Sequence, residues 1–319
     1  DIRRLDETRI LTYTSTFYPD SINNGKCPKS PHPTKMYFEP YSDTARYQGW
    51  WDEHHAGGPG VYMDDLYNSK NQYYLNTDHA SEIIFYGEDG AIGTPDRYEL
   101  IKNNISPDKK GWDGQAYLDL YAAFKQFIQK KHFEQAFPTV DSLTRSLGSV
   151  ALYYQGRMIE NIRMNNIVDG YVVNGWESNK IENHSGIVDC YRNHKSNPDI
   201  LSYYNQPKFI AVKARNKVLR TSQPDTVDFY LIDETGLRGE ARLNITISDS
   251  TGIILENSYP VKIKQQKYGQ LLVEGVTFTP KNEGYTDIAV ELKKNGEIKA
   301  RGREQIYAVQ PKLKFNKPK

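Results

Sequence analysis

The sequence predicts an α/β domain followed by an all-β domain, and three observations carry this prediction. Residues 83–86 are consecutive apolar residues without alternation, which is typical of a strand buried on both faces of a parallel sheet. Helical segments and a second strand, 168–176, follow in the order of a βα repeat. From residue 206 onward, short β runs alternate with turn signals. A chain of 319 residues is long enough for two such domains.

The segment before residue 83 contains few regular patterns. Residues 6–16 combine a turn with a β-branched and aromatic run, which predicts a strand. Prolines and an Asn-Asn-Gly sequence interrupt 17–40, so we expect a loop there, with a short strand at 36–38. Residues 47–67 are aromatic, acidic and rich in glycine, and we assign them no regular structure. Loops of this composition on a rigid scaffold tend to carry function.

Three helices are predicted between the two strands. The first covers 96–105, with Pro95 near its first turn. The second covers 112–131, and its apolar residues recur every three or four positions: Tyr117, Leu120, Tyr121, Phe124 and Phe127. The third begins near Thr139 or Ser142 and ends near residue 165, with apolar positions that include Leu147, Val150, Leu152, Tyr153 and Ile159.

The second half of the chain predicts an immunoglobulin-like β-sandwich. Its β runs are 209–213, 226–232, 241–248, 271–277, 286–292 and 305–309. Residues 249–252 and 294–296 are hairpin turns. We therefore divide the chain into an α/β domain at 1–205, a sandwich at 206–310 and a basic, proline-containing tail at 311–319, which we expect to be poorly ordered.

Composition narrows the range of partners. The net charge of +1 gives no basic surface for nucleic acid or an anionic membrane, and no apolar stretch approaches the length of a membrane span. The chain has 24 tyrosines and 4 tryptophans, which suit stacking on sugars but are also common in β-rich secreted proteins. Cys27 and Cys190 have no metal-ligand spacing, and we expect two free thiols rather than one bridge.

A metal site near residues 52–65 is the weaker of two interpretations. Its ligands would come from Asp52, His54, His55, Asp64 and Asp65. However, His54 and His55 are adjacent, whereas ligands on a helix need a spacing of three or four residues. We expect no metal and no cofactor, and we interpret these residues as a polar loop beside a pocket or as purely structural.

The acidic pair Glu88-Asp89 follows the predicted strand at 83–86, between two glycines. Charged residues at the carboxyl ends of parallel barrel strands line active sites. Ordinary turn or capping residues would give the same local sequence. A choice between the two interpretations therefore depends on sequence elsewhere in the chain.

Four separated segments resemble glycoside hydrolase family 2, the family of β-galactosidases and β-glucuronidases. DETRILTYTS is similar to the fifth barrel strand, and EIIFYGEDGA resembles the seventh, where the nucleophilic glutamate precedes one residue and a glycine. GYVVNGWES and SGIVDCYR resemble the eighth strand and the loop beyond it, with a tryptophan at the sugar site. The sandwich is similar to the C-terminal domain of longer bacterial members. The resemblance implies the C-terminal half of a (β/α)₈ barrel in 1–205.

The resemblance also implies roles for individual residues. Glu88 matches the nucleophile, and Trp176 matches the platform under the sugar. Asp89 occupies a position where the family more often has an aromatic residue, and it would contact substrate or exchange roles with Glu88. Further substrate contacts are expected from Trp50, Trp51, His54 and Glu177. For Glu177, Asn179, Glu182 and His184, the alternative is that they are solvated loop residues.

The family's acid/base residue has no match in this chain. It lies in an asparagine-glutamate pair on the fourth strand, whereas the pair here is Asn282-Glu283, in a predicted sandwich turn. Compared with the strand order of family members, the chain begins just after the fourth strand. The resemblance therefore implies that half the barrel is supplied by a longer protein. We expect the chain alone to be inactive, with its open strand edges covered by the missing half or by another copy.

The implied function is part of a retaining, exo-acting β-glycosidase, β-galactosidase-like, acting on terminal sugars of oligo- or polysaccharides. Such a bacterial enzyme would be periplasmic or secreted. The alternative is a non-catalytic carbohydrate-binding or structural module that has lost the chemistry. The sequence does not decide between galactose, glucuronic acid, mannose and arabinose.

Overall fold

A computed structural model describes residues 50–55, 83–89, 93–106, 108, 110–164, 170–173, 175–178, 185–214, 216–264 and 268–310. The predicted strands at 6–16 and 36–38 and the tail at 311–319 lie outside these residues, as does Cys27. The contacts divide the chain into two units. The first contains the described residues up to 159 and those from 170 to 205, and the second contains 160–164 and the described residues from 206 to 310.

The described residues of the first unit form a parallel sheet with three strands in the order β1-β2-β3. These strands are β1 (Trp50–His55), β2 (Ile83–Asp89) and β3 (Gly170–Val173). The predictions of β2 and β3 are confirmed. Residues 47–67, by contrast, were assigned no regular structure, and that was wrong for 50–55. The run WWDEHH has no apolar alternation, and its pairing with β2 makes it a strand.

The three predicted helices are present between β2 and β3. They are α1 (Tyr98–Asn104), α2 (Gly114–Lys130) and α3 (Val140–Met164). Thr139 and Ser142 form a reciprocal cap at the start of α3, because each side-chain oxygen accepts a hydrogen bond from the other residue's backbone N–H, at 3.0 and 3.1 Å. A short helix that the sequence did not indicate, α4 (Asp199–Tyr204), follows β3.

The helices of the first unit share an apolar core. Tyr98 and Ile101 of α1 pack with Tyr117 of α2 and with Leu143 of α3. The predicted apolar face of α2 is largely confirmed, since Leu120, Tyr121 and Phe124 pack against this core. Phe127 and Val150 lie at the margins and are 43% and 48% exposed.

The second unit is a β-sandwich of eight strands. They are β4 (Lys208–Ala214), β5 (Val218–Arg220), β6 (Asp225–Asp233), β7 (Gly239–Asp249), β8 (Gly252–Ile263), β9 (Gly269–Phe278), β10 (Gly284–Lys294) and β11 (Glu297–Val309). One sheet has the order β4-β6-β9 and the other has the order β5-β11-β10-β7-β8. Apolar residues at alternate positions of both sheets form a single core cluster.

The two predicted hairpin turns connect β7 with β8 and β10 with β11. In the first turn, Asp249 accepts hydrogen bonds from the backbone N–H and the hydroxyl of Thr251, at 2.8 and 2.7 Å. β5 and β8 were not among the predicted strands. No helix in the described part of the chain combines the length and the apolar character that crossing a bilayer requires.

Candidate functional site

The carboxyl ends of β1, β2 and β3 meet at one edge of the parallel sheet. His54 of β1 pairs with Glu88, and His55 pairs with Asp89. Asp89 in turn pairs with Val173, the last residue of β3. The acidic pair therefore ends the middle strand of the three, and two histidines end its neighbour. A parallel sheet places ligand sites at this edge.

β2 contains one more residue than either neighbour at this edge. Against β1 the register runs from Tyr86 directly to Glu88, and against β3 it runs from Tyr86 to Asp89 while β3 advances by only two residues. Gly87 is thus the extra residue in the ladder with β1, and the ladder with β3 has one extra residue at Gly87 or Glu88. Such bulges bend a strand and are common beside active sites. The irregularity lies at or directly before Glu88.

Trp176 follows β3 by three residues and lies on a fixed backbone. Its carbonyl accepts hydrogen bonds from the N–H groups of Ile187 and Val188, both at 3.1 Å. Gly175 has a φ of +83°, and a side chain there would place its Cβ 2.7 Å from the Ser185 hydroxyl. The indole itself is 63% exposed. An exposed tryptophan on a rigid backbone offers a flat apolar face to a ligand.

A buried polar cluster joins the segment after β2 to the segment after β3. The hydroxyl of Ser178 donates a hydrogen bond to Oδ1 of Asp96. Nζ of Lys195 lies 3.2 Å from the same oxygen and donates to the carbonyl of Thr94 at 2.8 Å. Ser178, Asp96 and Lys195 are all at most 1% exposed. We call these three residues the buried brace.

Burial sets the electrostatics of the brace. Desolvation lowers the pKa of Lys195, and the nearby Asp96 carboxylate opposes that shift. A buried ammonium group is tolerated only where a countercharge and hydrogen bonds replace water. The approach of Lys195 also depends on Gly148 of α3, because a Cβ at that position would overlap the carbonyl of Lys195. The brace thus fixes the backbone two residues beyond Trp176.

Glu177 forms an ion pair with Arg192, and its side chain is about one-third exposed. Arg192 lies in a turn of residues 189–193, where the buried carboxylate of Asp189 accepts hydrogen bonds from the backbone N–H groups of Tyr191 and Asn193, at 2.9 and 3.0 Å. Burial raises the pKa of Asp189. Beside it, Cys190 is a free thiol whose pKa burial raises to about 11.

The structure thus brings several of the predicted residues to the same edge of the sheet. At the carboxyl edge lie His54 of β1, Glu88 and Asp89 of β2, and the segment after β3 that carries Trp176 and Glu177. Trp50 and Trp51 instead begin β1 and pair with Ile83 and Ile84, at the opposite end of the sheet. Asp64, Asp65, Asn179, Glu182 and His184 lie outside the described residues. Within the described part of the chain, no three histidine, cysteine or acidic side chains form a group that would hold a metal ion.

Sequence reasoning did not find the buried brace. Asp96 was assigned only to the start of a helix, Ser178 ends the quoted segment GYVVNGWES without an assigned role, and Lys195 belongs to no motif. The Ser178–Asp96 bond spans 82 positions, and the Lys195–Thr94 bond spans 101. No local pattern encodes a pairing of that length.

No protein-family model and no curated protein matches the chain. Among solved structures, the β-D-mannosidase from Dictyoglomus thermophilum is 14% identical, with a TM-score of 0.40, over 70% of this chain and 27% of its own. The exo-β-D-glucosaminidase CsxA is 12% identical, with a TM-score of 0.38, over 53% of this chain and 20% of its own.

A glycosyl hydrolase family 2 member from Bacteroides cellulosilyticus DSM 14838 is 12% identical, with a TM-score of 0.25, over 32% of this chain and 14% of its own. The chain spans 13 to 27% of the length of the first three matched structures. Members of glycoside hydrolase family 2 are thus among the structures that resemble this chain. At these identities and TM-scores, the likeness assigns neither a family nor an activity.

Proposed function

We propose that this chain is part of a retaining, exo-acting β-glycosidase similar to glycoside hydrolase family 2. Its first unit would be the C-terminal half of a (β/α)₈ barrel, and its second unit would be an immunoglobulin-like sandwich. Glu88 is the nucleophile, Trp176 is the platform under the sugar, and β-galactosidase-like activity is the first to test. The full-length enzyme would act in the periplasm or outside the cell.

The observation that carries the proposal is the parallel register of β2 and β3. It brings Glu88, at the end of one strand, to the same edge of the sheet as the segment that carries Trp176. A pairing that placed these residues at opposite ends of the sheet would have excluded a common sugar site. The resemblance to the family requires this common edge.

The chemistry assigned to Glu88 is a double displacement. A carboxylate oxygen of Glu88 forms a bond to the anomeric carbon while the glycosidic C–O bond breaks, and the leaving oxygen takes a proton from an acid. Water then attacks the anomeric carbon, gives up a proton to the same group acting as base, and releases Glu88. The exposed indole of Trp176 would hold the sugar ring by stacking during both steps.

We propose that the acid/base residue lies outside this sequence. The asparagine-glutamate pair at 282–283 falls between β9 and β10, where the Asn282 amide donates to Asp249 at 3.0 Å. That turn belongs to the second unit, which has a core of its own. Without proton transfer to the leaving group, turnover should fall by roughly 10²–10⁴-fold. The chain alone is therefore expected to hydrolyse ordinary aryl glycosides very slowly.

A leaving group that needs no proton allows the nucleophile to be tested in this chain. We suggest incubation with 2,4-dinitrophenyl 2-deoxy-2-fluoro-β-glycosides of galactose, glucuronic acid and mannose, followed by peptide mass spectrometry. Dinitrophenolate departs without an acid, and the fluorine slows release of the glycosyl-enzyme. The expected result is a single glycosyl adduct on Glu88 for one of the sugars.

Matched variants decide between the possible outcomes. Glu88→Gln should abolish the adduct, Asp89→Asn should retain it, and Trp176→Ala should slow its formation without moving it. An adduct on Asp89 would show that the two carboxylates exchange roles. Saturable binding of an oligosaccharide with no adduct at any concentration would favour the alternative, a carbohydrate-binding module without chemistry.

A further inference from the structure

A cavity in the first unit has no role in the proposed glycosidase site. It measures about 380 Å³ and is lined by Arg97 and Leu100 near the start of α1, by Arg145 of α3 and by residues of the segment 193–198. This volume lies within the range of small-molecule sites. Leu100 and Pro198 give it apolar walls, and the remaining side chains are polar or cationic.

The charge of the lining is one-sided. Among the described residues, the lining contains two guanidinium groups and one imidazole, but it contains no aspartate or glutamate. Arg97 has a carboxylate partner outside the cavity: its Nε and Nη2 donate to Asp141 at 2.7 and 2.8 Å. Arg145 is exposed, and no carboxylate in the described part of the chain lies within ion-pair distance of it. The cavity therefore offers a cation for which the described residues supply no counterion.

The wall of the cavity is fixed in place by contacts that do not use Arg145. Nη1 of Arg97 donates to the carbonyl of His194 at 2.6 Å, which ties the segment 193–198 to α1. The hydroxyls of Ser149 and Ser196 are hydrogen-bonded, which ties the same segment to α3. Lys195, which lies between His194 and Ser196, belongs to the buried brace. A preformed wall lowers the entropy lost when a ligand binds.

We propose that this cavity binds a small anion through Arg145, with His194 and the polar side chains of 193–198 contacting the rest of the ligand. The ligand carries a carboxylate, sulfate or phosphate group on a compact polar body, and an acidic monosaccharide fits the volume. A guanidinium recognises all three anions by paired N–H donors. This inference does not depend on the proposed glycosidase activity.

The test is calorimetric titration of the whole chain with four probes at constant ionic strength: sodium sulfate, sodium phosphate, D-glucuronate and D-glucose. The expected result is saturable binding of at least one anion and none of glucose. Tighter binding of glucuronate than of the inorganic anions would identify an acidic sugar as the ligand class. Tighter binding of sulfate or phosphate would identify the oxyanion alone as the recognised group.

Two variants address the two halves of the inference. Arg145→Gln removes the charge and should weaken anion binding by about tenfold or more, since hydrogen bonds to charged groups contribute about 1.5–3 kcal/mol. Leu100→Phe narrows the cavity and should weaken binding without a change of charge. The matched control is Arg238→Gln in the sandwich, an exposed arginine that should have no effect.

Three outcomes would overturn the proposal. One is the absence of saturable binding of any anion at millimolar concentration. Another is an equal loss of affinity in Arg145→Gln and Arg238→Gln, which would indicate nonspecific attraction. The last is glucose binding as tightly as glucuronate, because charge would then play no part. Circular dichroism of each variant shows whether the fold is retained. If Arg145→Gln alters the fold, the anion affinity of Leu100→Phe still tests the cavity.

Discussion

The two units of the molecule differ in how far their structure depends on an apolar pattern. In the sandwich, the core cluster consists of apolar side chains at alternate strand positions. Of its buried acids, Asp233 serves its own turn, because it accepts hydrogen bonds from the N–H groups of Thr235 and Leu237, whereas Glu304 pairs with Lys217, 87 positions away. In the first unit, the buried brace joins segments that are far apart in sequence and lie after two parallel strands.

This difference indicates which parts of the chain require specific side chains. An apolar core tolerates many side chains of similar volume. A buried ion pair tolerates almost none, because removal of either partner leaves an uncompensated charge. The positions of Trp176 and its neighbours thus depend on a few specific residues, whereas the sandwich depends on a pattern. Fixed loops at the carboxyl edge of a sheet are what a binding site requires.

The largest expected effect follows from breaking the brace. Lys195→Met leaves Asp96 buried without its countercharge and should destabilise the first unit by about 3–5 kcal/mol. All 4 tryptophans precede residue 206, so urea unfolding followed by tryptophan fluorescence reports the first unit alone. Lys125→Met, at an exposed position of α2 in the same unit, is the control and should change the midpoint little.

A compensating variant separates the charge from the packing. In Lys195→Met combined with Asp96→Asn, neither of the two residues leaves a buried charge, and an amide oxygen remains for the Ser178 hydroxyl. Part of the lost stability should return. If the double variant lost as much unfolding free energy as the two single variants together, the two residues would not be coupled. The brace would then contribute nothing beyond its separate residues.

An apolar truncation in the sandwich should have a comparable but separate effect. Ile245 of β7 is fully buried, and Ile245→Ala should cost about 2–5 kcal/mol of unfolding free energy. Amide hydrogen exchange of β7 and β10 should accelerate, while the fluorescence-monitored midpoint stays unchanged. Glu240→Ala, an exposed position on the same strand, is the matched control. A shift of both transitions by Ile245→Ala would show that the two units unfold together.

The smallest expected effect concerns the turn at Asp249. Hydrogen bonds from Thr251 and Asn282 lower the pKa of Asp249 to about 2. Because this pKa is below its ordinary value of 3.8, the carboxylate stabilises the sandwich at neutral pH, and that contribution is lost as the pH falls from 3.8 to about 2. The difference in Tm between the wild type and Asp249→Asn should be small and positive at pH 7 and vanish near pH 2. A difference independent of pH would contradict this account.

The sequence predicted most elements whose pattern is local. The run of apolar residues in β2 and the three- and four-residue spacings of α2 are set by burial on one or two faces, so they are visible in the chain itself. β8 was missed because Pro260 lies within it. Proline is tolerated there because β8 is the edge strand of its sheet.

The candidate site was only partly predictable. Glu88 and Trp176 could be found because each follows a recognisable strand. β1 could not, since WWDEHH acquires its conformation from pairing with β2 rather than from its own periodicity. The partners of Asp96 and Arg97 could not be found either, because they are brought close only by the packing of α1, α3 and the segment 193–198.

Gly148 has a consequence for how this chain can change during evolution. It lies within a helix and contacts no proposed ligand, yet any side chain there would overlap the Lys195 carbonyl and displace the segment that carries Lys195, His194 and Ser196. A substitution of Gly148 that adds a single methyl group would therefore disturb the brace and the cationic cavity together. Where α3 keeps glycine at this position, related chains are free to vary both sites separately, and where glycine is lost, both should be lost at once.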